Sequence, residues 1–236
     1  MYYLIPLIIG LVALIVFLYF RAKEKRVIAV FIKGFVSLMF IATALVAWLT
    51  SKNSQNNFGV FVFIGLVFGL AGDVLLDIKF IDLKREMLYT KLGFLAFLFG
   101  HVFYVTGLFI NFYDFNTNIL YLIIPAIISL ALMVVTLLME KFTKVRYEKM
   151  KLFVIVYSFV LFFTVSIYMS AAIQGGFQKT TNVIMAFALI SFALSDLILN
   201  NTYFAPGFNT PLFVITNHLF YYIAQFAIAL SLFYLL

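Results

Sequence analysis

Eight apolar runs, each about as long as a bilayer is thick, constrain this chain more than any other feature. They cover roughly 2–20, 27–48, 58–78, 89–110, 119–139, 151–172, 182–200 and 212–236. Between them lie the polar breaks RAKEKR, SKNSQNN, KFIDLKRE, NFYDFNTN, EKFTKVRYEKMK, QGGFQKTTN and NTYFAPGFNTP. A hydrocarbon core of ~30 Å takes about 20 apolar residues per helix. A spanning segment must also satisfy its own backbone hydrogen bonds, so such runs read as helices. The expected fold is therefore an all-α, polytopic membrane protein with eight transmembrane helices. The first run has no basic stretch before it and no small-residue cleavage site, and is read as a retained helix.

Of the 236 residues 66% are hydrophobic and 11% charged, which excludes an ordinary soluble domain. No cysteine is present, so disulfides, thiolate metal sites and a cysteine nucleophile are excluded. The net charge of +7 does not point to nucleic acid, because its distribution is that of a membrane protein. Odd-numbered connections carry 13 Lys and Arg residues, even-numbered ones two, and Lys33 lies inside a span. This bias predicts cytoplasmic odd connections and both termini outside. The phenylalanine-rich composition suggests a bacterial inner membrane.

The chain echoes itself. GDVLLD (72–77) in the third run resembles SDLILN (195–200) in the seventh, and GHVFYV (100–105) resembles NHLFYY (217–222). Asp73 and Asp196 are 123 residues apart, His101 and His218 are 117 apart, and Phe35-Val36 recurs 124 residues later as Phe159-Val160. We read one transmembrane domain, 1–236, containing a duplicated four-helix unit with repeats near 1–112 and 117–236. Both histidines of the chain sit in this motif.

At 1.5 Å per residue, the ionisable groups of the spans fall in a layer toward the cytoplasmic ends. Asp73 lies about 9 Å from Lys79 along its helix, and Lys33 and His218 are each about two turns in. His101 is deeper. Asp73 and Asp77, Asp196 and Asn200, and His218, Tyr222 and Gln225 each share a helical stripe. Ionisable groups inside a bilayer usually face the bundle interior and mark a function, so a polar pocket between runs three, four, seven and eight is expected. Asp73 and Asp196 are the leading candidates. Asp77 is either their support or merely interfacial. Lys33 is a counter-ion for a carboxylate or a substrate phosphate, or snorkels to the headgroups. His101 and His218 are expected to hydrogen-bond the aspartates. Tyr104 and Tyr222 belong to the candidate lining but also read as ordinary bundle aromatics, as does Tyr221. Gln225 needs a partner, and Gly69, Gly72 and Gly100 permit close helix approach. No phosphate loop, nucleophile elbow or HExxH motif is present.

GDVLLD, GHVFY, SDLILN and YYIAQF, with Lys33 early in the second run, resemble the YhhN family of membrane proteins across all eight spans. Gly34 stands where the family pattern leads one to expect proline. The resemblance implies a lysoplasmalogenase-like hydrolase without cofactor or metal. Such enzymes cleave the vinyl ether of a lysophospholipid to a fatty aldehyde and a glycerophospho-base. It also implies that Asp73 and Asp196 are the catalytic pair. By their placement, Lys33, Asp77, His101, Tyr104, Asn200, His218, Tyr222 and Gln225 are expected to bind substrate or support them. Protonating the vinyl carbon distal to oxygen gives an oxocarbenium ion, which water captures as a hemiacetal. That chemistry needs one carboxylic acid and one carboxylate, and the sequence leans to Asp196 as the base. Two other classes remain open: a metal-dependent lipid amidase or esterase using Asp73, Asp196, His101 and His218, and a small-molecule or ion-coupled transporter.

Overall fold

The computed structural model describes residues 2–111 and 118–235. Most of the fourth polar break and the inner ends of the two expected repeats lie outside them. The described chain is all-helical: α1 (Leu4–Ala22), α2 (Arg26–Leu49), α3 (Asn57–Ile78), α4 (Glu86–Asn111), α5 (Leu120–Phe142), α6 (Lys151–Gln174), α7 (Thr180–Phe204) and α8 (Pro211–Ser231). Eight helices are long and apolar enough to cross a membrane. This is an integral membrane protein, and the expected runs differ from the helices by a few residues at their ends.

Local sequence explains several helix starts. The Asn56 side chain accepts a hydrogen bond from the Phe58 amide at 2.8 Å, and Thr210 caps α8 ahead of Pro211. Pro125 lies inside α5 and lacks the N–H that would bond the Tyr121 carbonyl. Ser170 of α6 replaces it, its hydroxyl donating to that carbonyl at 2.7 Å. An apolar environment makes such substitution of donors necessary, and here it joins α5 to α6.

Helices pair in sequence order, α1 with α2, α3 with α4, α5 with α6 and α7 with α8. The pairs are closed by α2 packing on α3 and α8, and by α6 packing on α7 and α4. Both α4 and α8 are well enclosed, whereas α5 turns Ile123, Ile124, Ile127 and Ile128 outward as a lipid-facing surface. The tightest approach is between α3 and α4. A Cβ on Gly100 would sit 3.0 Å from the Gly65 carbonyl oxygen, a backbone atom that cannot swing away. Gly100→Leu is expected to cost about 1–3 kcal/mol by overpacking. A clear fall in the thermal midpoint of the detergent-purified protein would show it, and an unchanged midpoint would contradict this contact.

Candidate functional site

A buried polar cluster ties α1, α2, α3 and α8 together. The Lys33 ammonium lies 3.2 Å from Asp73 Oδ1 and 3.3 Å from Asp77 Oδ1. Asp73 Oδ2 accepts hydrogen bonds from the hydroxyls of Ser37 (2.7 Å) and Tyr221 (2.6 Å). Tyr221 in turn accepts from Gln225 Nε2 at 2.7 Å. Gly69 leaves room for that amide, because a Cβ there would strike Gln225 Nε2. Tyr222 shares its hydroxyl with Ser37 at 3.2 Å. Arg21 reaches Asp77 Oδ1 at 3.6 Å from the end of α1. Lys33 is therefore a buried counter-ion rather than a snorkelling side chain, and Asp77 is a buried member of the cluster rather than an interfacial residue.

Asp196 on α7 has a different setting. Tyr157 of α6 donates a short hydrogen bond to Asp196 Oδ2, and no ion pair reaches Asp196 among the described residues. Asp73 and Asp196 nevertheless line one cavity of about 280 Å³, with Lys33, Asp77, Ser195, Asn217, His218 and Tyr221 on its walls. Arg21, Lys79, Phe80, Glu86 and Asn209 also line it. The cavity thus sits at the end of the bundle where connections one, three and seven meet. It takes walls from α1 and α2 as well as from the four helices expected. Asp196, Leu76, Phe97 and Leu199 also border a second, narrow and almost wholly apolar slot. That slot runs along Tyr157, Leu161, Phe162, Asn200 and Thr136 of α5, α6 and α7. Asp196 stands at the junction between polar cavity and apolar slot.

The histidines depart from expectation. His218 lines the cavity, but its Nδ1–H points to the Val214 carbonyl at 2.7 Å, one turn back on its own helix. His101 is buried with both ring nitrogens unpartnered among the described residues. It is boxed edge-on by Tyr104, Tyr157 and Phe192 at ring separations of 5.9, 6.1 and 4.8 Å. Hydroxyls of Ser37, Tyr221 and Tyr157 serve the aspartates instead. Tyr104 contributes packing beside Gly65 and does not line the cavity. Asn200 faces the apolar slot. No group of three or more His, Asp or Glu side chains is arranged to hold a metal among the described residues. Asp73, Asp196, His101 and His218 are thus not assembled as one ligand set.

Residues 28–232 match the YhhN family. The chain belongs to the YhhN family. The match covers α2 to α8, and so every side chain of the polar cluster except Arg21. No curated protein and no solved structure matches this YhhN chain.

The sequence does not single out Ser37, Tyr157, Arg21 or Lys79. Tyr157 is one of fourteen tyrosines, with no local signal. Arg21 and Lys79 were counted only as orientation charges. Lys79 is in fact 6% exposed, with its ammonium 3.7 Å from the centre of the Tyr203 ring.

Proposed function

We propose that this protein is a lysoplasmalogenase-type membrane hydrolase, which cleaves the vinyl ether of a single-chain lysophospholipid. The observation that carries the reading is Asp73 and Asp196 lining one cavity at the mouth of an apolar slot. The first carbons of an alkenyl chain in the slot, which has a volume of about 40 Å³, and a polar headgroup in the cavity bring the vinyl ether to their junction, beside Asp196. Family membership supports the same chemistry.

The two settings divide the roles. Asp196 has a hydroxyl donor, an apolar slot beside it and, among the described residues, no cation paired with it; it is the proton donor to the distal vinyl carbon. Asp73, held by Lys33, Ser37 and Tyr221, is the carboxylate that balances the oxocarbenium charge and takes a proton from the attacking water. The hemiacetal then collapses: Asp73 gives the proton it took from water to the departing glycerol oxygen, and the hemiacetal hydroxyl gives its proton to Asp196, which releases the aldehyde and restores both carboxyl groups. This reverses the lean of the sequence toward Asp196 as base. Purified protein given a lysoplasmalogen is expected to release fatty aldehyde stoichiometrically with the glycerophospho-base. Failure to do so in any detergent that preserves the fold would end this reading.

The basic connections are cytoplasmic, which puts the cavity at the cytoplasmic end of a bacterial inner membrane protein; cysteine labelling from either side tests this. The chain is also a duplication. In its support, Lys33 facing Asp73 and Tyr157 facing Asp196 occupy equivalent positions, 124 residues apart on α2 and α6. His218 beside the first pair and His101 beside the second follow the same exchange of helices.

A further inference from the structure

The cavity holds more cationic chemistry than the aspartates use. Lys33 is committed to Asp73 and Asp77, each within 3.3 Å. Arg21 spends one nitrogen on Asp77 at 3.6 Å, and stacks its guanidinium 4.4 Å from the centre of the Phe80 ring. Its other terminal nitrogen, Nη1, is buried with no partner among the described residues. Lys79 makes no ion pair with a carboxylate among the described residues; ring faces of Tyr203 and Phe80 hold its ammonium at 3.7 and 5.2 Å. Both side chains line the cavity on the wall shared with Phe80. Burying a guanidinium N–H and an ammonium without acceptors is costly. A planar N–H donor beside a point charge suits one tetrahedral oxyanion group, since arginine presents paired donors and lysine a compact charge.

We propose that Arg21 and Lys79 form a phosphate-binding subsite at the outer end of the cavity, which takes the phosphodiester of the substrate headgroup. The proposal rests on the lysophospholipid reading above and moves the phosphate contact away from Lys33. The occupant is an amphiphile: the subsite binds its phosphate, and the apolar slot beyond Asp196 takes the first carbons of its chain. Lys79 faces Glu86, Asp77, Arg21 and Lys33, and the cavity also presents Asp73, Asp196, His218 and Tyr203. Burial pulls the Lys79 ammonium down to about 8, with Arg21 and Lys33 adding to the pull and Glu86 and Asp77 opposing it. Phosphate binding is therefore expected to weaken as pH rises through about 8 in the wild type, and to stay level in Lys79→Arg.

The test is calorimetric binding to the purified full chain, which needs no turnover. The probes are a 1-O-hexadecyl lysophosphocholine, whose saturated ether resists this chemistry, and 1-O-hexadecylglycerol, which lacks phosphate. Glycerophosphocholine and inorganic phosphate complete the set. Lys79→Met and Arg21→Gln are each expected to weaken the alkyl lysophospholipid about ten-fold or more, as loss of a charge-assisted contact does. Alkylglycerol binding should be unchanged, and Lys79→Arg should bind as wild type, which separates contact from folding. Wild-type affinity in both variants, or equal losses for the lipid with and without phosphate, overturns the subsite. Tight binding of inorganic phosphate or glycerophosphocholine at lipid-like affinity overturns the lipid source and assigns the site to a free anion. Aldehyde release from lysoplasmalogen is followed in parallel. Phosphate-dependent binding without aldehyde keeps the subsite and rejects the hydrolase. Aldehyde release with unchanged KM in both variants does the opposite.

Discussion

Asp73→Asn and Asp196→Asn are each expected to lower aldehyde release by about two to four orders of magnitude, the range for losing a positioned acid or base. Asparagine keeps the shape and most of the hydrogen bonding. In Asp196→Asn the Tyr157 hydroxyl still finds an acceptor, but no proton is available for the vinyl carbon. In Asp73→Asn Lys33 retains Asp77, so the cluster stays paired while the water-activating carboxylate is gone. Because the two act on one substrate molecule, the double variant should be little worse than the weaker single one. Near-wild-type release by either purified, folded variant removes that aspartate from the mechanism. Near-wild-type release by both removes the mechanism.

Lys33→Met is expected to be strongly destabilising. It leaves Asp73 and Asp77, both about 2% exposed, without the ammonium that bridges them. Breaking a buried ion pair from one side costs about 3–5 kcal/mol, because the remaining charge is stranded. Arg21 offsets part of this at Asp77, but no other ion pair reaches Asp73 among the described residues. The signature is non-additivity. Lys33→Met combined with Asp77→Asn should lose less than the sum of the two separate losses. Thermal unfolding in detergent reads both. A loss below about 1 kcal/mol, the worth of an exposed pair, would place Lys33 at the headgroups after all.

The spans were legible because membrane thickness imposes one length on every apolar run, and that constraint survives any packing arrangement. Asp73 and Asp196 were legible because acidic residues are rare here and the GDVLLD–SDLILN echo pairs them. The remainder of the site was hidden for physical reasons. An apolar helix facing lipid and one lining a slot have the same composition, so the slot beside Leu161 and Phe162 left no trace in the sequence. Basic residues near span ends fix orientation in any membrane protein, which masked Arg21 and Lys79. The His-x-Phe-Tyr motif drew attention to two imidazoles, but the helix phase turns His101 into a box of rings and His218 toward its own backbone. Which hydroxyl meets which carboxylate depends on rotation about the helix axes, and local pattern does not encode that.

The unlike partners of the two carboxylates give the cavity a direction. A cage with the same group opposite each aspartate would accept a substrate either way round, and half of all encounters would point the reactive bond the wrong way. An ammonium at Asp73 and a phenol at Asp196 remove that degeneracy. The charged end repels an oily tail and the phenolic end offers nothing to a headgroup, so the interior has a heading.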